Sequence, residues 1–349
     1  MLAPAARLTT SVGVAPVSDT VLGTLFVLAA ATSLLSSWLL VSRLARLGAR
    51  FGLSEALLGM VAALAADAPE ITAAVTALTR NERHLGAGVV IGSNVFNLAA
   101  LLGLAAVVAG EIRLHRRVLA LSGAVALWIA TVSMLAVLGI VSPGVAFLVV
   151  IAALAPYLVV LGVRRERLMR TPLPASWSAW LTEAIREEEL ELEVAIHPRR
   201  GHAVDAVAAA LATLVVVAAS VAMEFAASRL GTGHGIPEIV TGGIVLAAVT
   251  SLPNAVAAVY FAARGQGTAV LSTALNSNAI NIAAGLLLPA TILGLGPPSG
   301  QETFVAASYL GLTACALACA YRYHGLRRSV GALIVGGYLI YVAVLTAAS

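Results

Sequence analysis

Apolar residues dominate ten stretches of the chain, and each stretch is about as long as a membrane-spanning helix. A helix that crosses the hydrocarbon core of a bilayer needs roughly 20 consecutive apolar residues. The stretches cover approximately residues 20–44, 54–79, 86–109, 117–139, 142–163, 204–229, 236–263, 268–294, 303–322 and 329–347. A polar segment, 164–203, divides them into five and five. The pattern therefore predicts an all-α membrane protein with ten transmembrane helices.

The composition agrees with this fold class and excludes a soluble protein. Hydrophobic residues make up 60% of the 349 residues and charged residues 11%, with a mean hydropathy of +0.96; soluble domains carry about 25% charged residues. The net charge of +4 comes from arginines near the ends of the apolar stretches, so it does not indicate a nucleic-acid partner. The first 19 residues lack a basic segment followed by a cleavage site, and we expect no signal peptide. Cys315 and Cys319 are interpreted as small core residues rather than as a soft metal site.

The distribution of arginine predicts the orientation in the membrane. Basic residues collect on the cytoplasmic side of membrane proteins. If segment 164–203 is cytoplasmic, 17 arginines lie on that side and 4 on the other. We therefore expect a multi-pass protein of the plasma (inner) membrane with a cytoplasmic central loop and both termini outside. Within the loop, the acidic run from Glu187 to Glu193 is interpreted as a solvated helix face, with binding of a regulatory cation as the alternative.

An internal repeat relates the two halves of the chain at a constant offset of 184 residues. Residues 65–98 align with 249–282, so that Pro69 corresponds to Pro253 and Ser93 to Ser277. The five-helix halves begin on opposite sides of the membrane. Such inverted repeats are typical of secondary transporters, whose substrate site lies near the midplane where the repeats meet. The predicted organisation is a first repeat at 1–163, a cytoplasmic loop at 164–203 and a second repeat at 204–349.

Polar side chains recur within the apolar stretches at equivalent places in both repeats. Pro69 and Pro253 remove a backbone donor in mid-span and predict a break in each helix. Asp67 and Glu70 are costly at this depth, where ionisable residues usually mark a site or a pathway. Hard oxygen ligands of this kind suit sodium, calcium or protons rather than zinc or copper. The alternative is that these residues are interhelical contacts only. The set comprises Asp67, Glu70, Ser93, Asn97, Ser251, Asn254, Ser277 and Asn281. Asn94 and Asn278 project elsewhere and are interpreted as packing residues, with lining of an aqueous path as the alternative.

These motifs resemble those of the calcium/cation antiporter superfamily, whose best-known members are sodium/calcium exchangers. Repeats in that superfamily carry a G-T-S-x-P-E-like helix break followed by G-S-N-x-x-N; TSLPN at 250–254 is similar to the first and GSNVFN at 92–97 to the second. The resemblance covers nearly the whole chain and implies exchange by alternating access, in which spans 20–44 and 204–229 slide across the core. It also implies a central set of ligands at Glu70, Ser93, Asn97, Thr250, Ser251, Asn254, Ser277 and Asn281.

Three positions depart from the superfamily pattern. Asn254 stands where a glutamate is expected, Asp67 where a serine is expected, and Asn276 where a glycine opens the second motif, 276–281. Both carboxylates therefore belong to the first repeat, at 65–70, and we add Asp67 to the predicted metal ligands as a replacement for the missing glutamate. Two carboxylates can neutralise one calcium, two sodium ions or two protons. The pair can equally share one proton, because nearby like charges disfavour double ionisation.

The predicted function is secondary cation antiport, namely sodium-coupled calcium exchange. The alternatives are proton-coupled exchange of sodium or another cation, or a transport-inactive relative. An enzyme is not expected: an intramembrane aspartyl protease needs two facing aspartates, and only Asp67 lies deep in a span. We expect no cofactor, transport of Na⁺, Ca²⁺ or H⁺, inorganic cations and the lipid bilayer as the partners, no ATP use, and a monomer. Glu224 is predicted to pair with Arg229 near the membrane interface, with lining of a cation entrance as the alternative.

Overall fold

A computed structural model describes residues 17–51, 55–162, 176, 179–181, 183 and 201–348. The side chains of 55–60, 160–162 and 268 are outside the description. Most of the predicted central loop, including Glu187 to Glu193, also lies outside the described residues. The loop and its acidic run therefore stay predictions.

Helices fill all ten predicted apolar stretches. In the first half they are α1 (Asp19–Arg50), α2 (Glu55–Ala66), α3 (Ala68–Thr79), α4 (Arg83–Asn97), α5 (Ala105–Ala109), α6 (Arg116–Val137) and α7 (Pro143–Gly162). In the second half they are α8 (Ala203–Gly233), α9 (Glu238–Val240), α10 (Ala247–Thr250), α11 (Leu252–Ala263), α12 (Gly267–Ile280), α13 (Leu288–Leu293), α14 (Gly300–Tyr323) and α15 (Arg328–Ala347). Three π-helical segments join some of them without a turn: π1 (Leu98–Leu104), π2 (Thr241–Leu246) and π3 (Asn281–Leu287).

Seven of the described helices or continuous helical runs are long and apolar enough to cross a membrane. An eighth span is the pair Glu238–Thr250 and Leu252–Ala263, which bends by 48° at its break. Pro143–Val159 is apolar but shorter, and α2 and α3 have 12 residues each. The prediction of a helical, multi-pass membrane protein is confirmed, whereas the count of ten spans stays a prediction.

The two proline-containing motifs break their helices at equivalent residues. Asp67 separates α2 from α3 with φ −83° and ψ −4°, and Pro69 follows in the first turn of α3. Ser251 separates α10 from α11 with φ −84° and ψ −2°, and Pro253 follows in the same position. Proline has no N–H and clashes with the preceding turn, so the helix cannot continue through it undistorted. Both breaks lie where the sequence predicts them.

The centre of the molecule is built from the helical runs that carry the GSN-like motifs. In the most apolar 18-residue stretch of Arg83–Ala109, 89% of the residues are buried, and in that of Ala269–Leu293 the buried share is 83%. The corresponding shares are 28% for α1 and 33% for α8. The runs continue through π1 directly after Asn97 and through π3 from Asn281 onward. π-helical turns inside α-helices are frequent at functional sites. The pattern of apolar residues does not predict these π-helical segments.

Glycines allow α4 to cross π2 with backbone against backbone. A Cβ added at Gly92 would collide with the backbone of Gly243, and one added at Gly242 would collide with the carbonyl of Leu85. Small residues at membrane-helix crossings permit this close approach. The first glycine of GSNVFN is therefore required by packing.

A two-stranded antiparallel sheet joins the α5–α6 connection of the first half to the α14–α15 connection of the second half. β1 (Glu111–Arg113) follows α5, and β2 (Gly325–Arg327) precedes α15, with Glu111 opposite Arg327. The strands are too short for periodicity to reveal them. They bring together the segments that carry Arg113 and Arg327, two arginines that the predicted topology assigns to the same side of the membrane.

Helices α1 and α8 form a pair at the periphery. The hydroxyls of Ser33 and Ser220 are 2.8 Å apart between them. Near the end of α1, Arg43 Nη1 lies 2.8 Å from Asp205 Oδ1, and Arg46 Nη1 lies 3.6 Å from the same oxygen. The two helices are thus joined near the middle of α1 and near its end.

Gly92→Ala is expected to destabilise the protein, because the new methyl group must displace the backbone of Gly243. Overpacking of this kind costs about 2 kcal/mol. Thermal unfolding in detergent should show a lower midpoint. Gly311→Ala is the matched control, since no atom lies within 4 Å of its added Cβ. Equal midpoints for the two variants would contradict the close crossing.

Candidate cation site

Two carboxyl groups occupy the polar centre of the molecule, and both are fully buried. Asp67 and Glu70 have 0% of their surface exposed. Glu70 accepts hydrogen bonds from the Ser251 hydroxyl and, at 2.7 Å, from Nδ2 of Asn281. Both donors belong to the second half of the chain.

Asp67 is held in the same way. Its Oδ1 accepts from Nδ2 of Asn254 at 2.8 Å and from the hydroxyl of Ser277 at 2.7 Å. The first half thus supplies both negative groups, and the second half supplies four donors to them.

The helix breaks explain how these side chains reach one place. Asp67 and Ser251 occupy the N-caps of α3 and α11, while Glu70 and Asn254 lie in the first turns of the same helices. The first N–H groups of a helix have no intrahelical acceptor, and the helix dipole favours negative charge there. A break in mid-span therefore creates a location where a carboxylate is less costly than elsewhere in the apolar interior.

The GSN-like motifs add further oxygens around this centre. Asn97 Nδ2 donates to the hydroxyl of Ser277 at 3.2 Å and to Oδ1 of Asn278 at 3.0 Å. Ser93 and Thr250 are equally buried, but their hydroxyls donate to carbonyls one turn earlier in the same helical runs, at Val90 and Leu246. Their hydroxyl oxygens keep lone pairs that can accept a cation.

Three buried oxygens among these side chains have no hydrogen-bond partner. They are Asp67 Oδ2, Asn97 Oδ1 and Asn281 Oδ1. Leaving a buried acceptor unpaired costs about 1–3 kcal/mol, so such groups call for an explanation. All three are hard oxygens of the type that binds sodium or calcium. The unpaired atoms therefore suit a cation that completes their coordination.

The described residues contain no cluster of three or more His, Cys, Asp and Glu side chains. A cation at this site would depend on amide and hydroxyl oxygens in addition to the two carboxylates. Cys315 and Cys319 form no disulfide and are only partly buried. The donor set favours hard alkali or alkaline-earth cations.

Asn94 and Asn278 contribute more to this region than the sequence analysis assigned to them. Asn94 Nδ2 donates to the carbonyl of Asn278 at 3.1 Å, and Asn278 Nδ2 donates to the carbonyl of Asn94 at 3.2 Å. This reciprocal pair has the offset of the repeat and joins the two central runs. Asn94 Oδ1 also accepts from Asn281 at 3.3 Å, and the buried Tyr309 hydroxyl reaches both asparagines. The shared offset of 184 could have identified the asparagines, whereas no motif identifies Tyr309.

The predicted ion pair between Glu224 and Arg229 is wrong. Glu224 Oε2 lies 3.0 Å from Nη1 of Arg80 at the end of α3, and Glu224 is fully buried. Arg229 instead stacks over the Phe225 ring, 5.4 Å from its centroid. Glu224 faces α3 because α8 packs against that helix, a contact that spacing along α8 does not reveal. The ion pair joins α8 to the core.

Comparison with known proteins identifies the family of this chain. The family model described as "Sodium/calcium exchanger protein" matches residues 21–164 and 205–347. The chain belongs to the sodium/calcium exchanger protein family. The resemblance to the calcium/cation antiporter superfamily is thereby confirmed.

Relatives of this family member include proteins matched over most of their length and others matched only locally. Inner membrane protein YrbG of Escherichia coli (strain K12) is 26% identical over 306 residues, which are 84% of this chain and 87% of that protein. Putative antiporter CaxA of Alkalimonas amylolytica is 37% identical over 84 residues, only 26% of its length. Human sodium/potassium/calcium exchanger 4 is 33% identical over 94 residues, 14% of its length.

Solved structures share the fold of this exchanger-family chain. The H⁺/Ca²⁺ exchanger CAX superposes with a TM-score of 0.66 at 16% identity, covering 94% of this chain and 86% of that one. The sodium-calcium exchanger NCX_Mj, soaked with 2.5 mM Na⁺ and 0.1 mM Ca²⁺, gives a TM-score of 0.59 at 19% identity, covering 93% and 98%. The NCX/CAX-like fold is therefore established.

Arg80→Gln is expected to lower the free energy of unfolding by about 2 kcal/mol, because it leaves the Glu224 carboxylate buried without its cation. The value is below that of a fully buried pair because the Arg80 side chain is 36% exposed. Thermal unfolding in detergent measures the change. Arg229→Gln is the control and should have little effect. If Arg229→Gln destabilised the protein and Arg80→Gln did not, the assignment of the ion pair would be overturned.

Proposed function

We propose that this protein is a secondary active cation antiporter that exchanges sodium for calcium by alternating access. The observation that carries the proposal is the pair of buried carboxyls, Asp67 and Glu70, surrounded by amide and hydroxyl groups from the other half of the chain. The proposed ligands are Asp67, Glu70, Ser93, Asn97, Thr250, Ser251, Asn254, Ser277 and Asn281. No resident cofactor or ATP is needed, because an ion gradient supplies the driving force.

The architecture that we propose for this function has ten transmembrane helices in two inverted five-helix repeats, 1–163 and 204–349. Matched helix breaks at Asp67 and Ser251 support it. The reciprocal hydrogen bonds between Asn94 and Asn278, which are 184 residues apart as in the repeat, support it as well. We place the protein in the inner membrane as a monomer, with segment 164–203 cytoplasmic and both termini outside. The arginine distribution and the name of the relative YrbG support this placement.

Charge favours a divalent cation or two monovalent ones in this site. The proposed ligands other than Asp67 and Glu70 are neutral, so the site carries two negative charges when both are ionised. One calcium ion or two sodium ions would neutralise them, which is the exchange balance that an antiporter with a single shared site requires. Relatives named for sodium/potassium/calcium exchange and a structural neighbour named for sodium-calcium exchange support calcium and sodium as the ions.

A proton is the second candidate for the coupling ion. The carboxyls of Asp67 and Glu70 are both fully buried, and their hydrogen-bond partners are hydroxyl and amide groups. Nearby like charges disfavour double ionisation, so the pair suits one shared proton. The neighbour CAX is named as an H⁺/Ca²⁺ exchanger. Exchange of sodium or another cation for protons would use the same residues.

Calcium-45 uptake into proteoliposomes under imposed sodium or proton gradients tests the proposal. Uptake that follows an outward sodium gradient supports sodium coupling. Uptake that ignores sodium and follows the pH gradient supports proton coupling. Absence of calcium, sodium and proton flux under every gradient, from protein that is folded by thermal unfolding, would support the transport-inactive alternative.

Glu70→Gln is expected to reduce calcium uptake about tenfold or more, because one charge that balances the cation is lost together with charged hydrogen bonds. Initial uptake rates over a range of calcium concentrations measure the loss. Glu238→Gln is the matched control, since Glu238 lies in the first turn of α9, away from the contacts of the polar centre. A normal rate for Glu70→Gln would remove this residue from the site.

Asp67 replaces the glutamate that the superfamily pattern places at Asn254. Asp67 Oδ1 and Asn254 Nδ2 are 2.8 Å apart, so a carboxylate moved from one residue to the other stays in nearly the same place. Asp67→Ser should abolish calcium uptake. The double variant Asp67→Ser, Asn254→Glu should restore it to within about threefold of the unchanged protein, because the two contacting substitutions compensate. If Asp67→Asn left transport rate and ion affinity unchanged, Asp67 would have no such role.

A further inference from the structure

Pro69 leaves one main-chain carbonyl next to the candidate site without its normal partner. In an α-helix the carbonyl of residue i accepts from the N–H of residue i+4. The carbonyl of Ala65 would therefore accept from residue 69, which is proline and has no N–H. Before the proline, the N–H of Asp67 still donates to the carbonyl of Ala63. After it, the helical hydrogen bonds resume with the N–H of Ile71, which donates to the carbonyl of Asp67. The carbonyl of Ala65 needs a donor from elsewhere.

Ser37 of α1 supplies that donor. Its hydroxyl lies 3.0 Å from the carbonyl oxygen of Ala65 and 3.4 Å from that of Ala66. Ser37 is fully buried, so water does not compete with its hydroxyl for these two carbonyls. The contact joins a peripheral helix to the two residues that immediately precede Asp67.

The position of α1 is itself fixed by contacts with α8. Ser33, one turn before Ser37 on the same face, pairs with Ser220 of α8, and Arg43 pairs with Asp205 at the end of the helix. The position of Ser37 next to the break between α2 and α3 is therefore set by the α1–α8 pair and not by α1 alone. A displacement of the pair relative to α2 would remove the donor from Ala65.

We propose that Ser37 is a positioning residue for the cation site. Its hydroxyl holds the carbonyls of Ala65 and Ala66 towards α1 and keeps them from turning to a cation at Asp67. The availability of these oxygens to the ion thus depends on the position of α1. The proposal rests on the proposed function only for its transport readout, because the contact itself can be tested on the protein without transport.

A double-mutant cycle between Ser37→Ala and Pro69→Ala tests the contact. Alanine at position 69 restores the N–H that Ala65 lacks, so Ser37 should then become dispensable. Ser37→Ala is expected to lower the thermal unfolding midpoint of the otherwise unchanged protein and to leave that of Pro69→Ala unaltered. Ser37→Thr, which keeps the hydroxyl, should restore the midpoint. Ser36→Ala is the matched control, since Ser36 is the half-buried neighbour on the same helix.

Transport separates positioning from general stability. Without Ser37 the carbonyl of Ala65 has no donor in the cation-free protein and gains one partner, the cation, on binding. Ser37→Ala should therefore lower the half-saturating calcium concentration about fivefold, the factor that one net hydrogen bond is worth. Ser37→Thr and Ser36→Ala should leave it unchanged.

Two results would overturn the inference. One is an equal loss of thermal midpoint for Ser37→Ala with proline and with alanine at position 69, and the other is an unchanged or raised half-saturating concentration. Failure of the proposed function is distinguishable from either. In that case the unchanged protein moves no calcium under any gradient, while the double-mutant cycle still reports whether Ser37 and Pro69 are coupled.

Discussion

The structure depends on keeping two carboxyl groups in an apolar interior without a cationic side chain beside them. Among the described residues, the partners of Asp67 and Glu70 are hydroxyl and amide groups, and no arginine forms an ion pair with either. Charges buried in this way are costly unless they are hydrogen-bonded or neutralised by a bound ion. Much else follows from this requirement: two helix breaks, a ring of donors, and tight packing that holds the donors in place.

The two halves of the chain contribute different groups to the polar centre. The first half provides the acids, and the second half provides the donors at Ser251, Asn254, Ser277 and Asn281. Serine and asparagine can each present either a hydrogen or an oxygen to a neighbour. The same side chains can therefore satisfy the carboxylates when no cation is bound and offer oxygens to a cation when one is. Arginine or lysine in their place would stabilise the carboxylates permanently and would exclude the ion.

The core and the peripheral pair are held by different kinds of contact. Gly92 and Gly243 bring α4 and π2 together backbone to backbone, and the paired amides of Asn94 and Asn278 join the central runs. The α1–α8 pair packs on this core through apolar residues, among them Ala29 and Met223, and through polar contacts, of which Arg80–Glu224 and Ser37–Ala65 are two. Close backbone packing resists displacement, whereas single hydrogen bonds and ion pairs can exchange. In the alternating access that we propose, the α1–α8 pair would move while the core keeps its packing.

Local chemistry in the sequence determined the membrane helices, the two breaks and the faces that carry Ser93, Asn97, Ser277 and Asn281, because hydropathy, proline and helical spacing act over a few residues. The family followed from the same motifs. Only the tertiary structure decided which faces meet. Glu224 pairs with Arg80 across 144 residues rather than with Arg229 on its own helix, and Glu70 meets Asn281 across 211 residues. The hydrogen bond from Ser37 to the carbonyl of Ala65 and the reciprocal hydrogen bonds of Asn94 and Asn278 are likewise contacts that only the tertiary structure decided. Spacing along a helix specifies the direction of a side chain, but its partner depends on which helix packs there, and that is set by the combined packing of the whole chain.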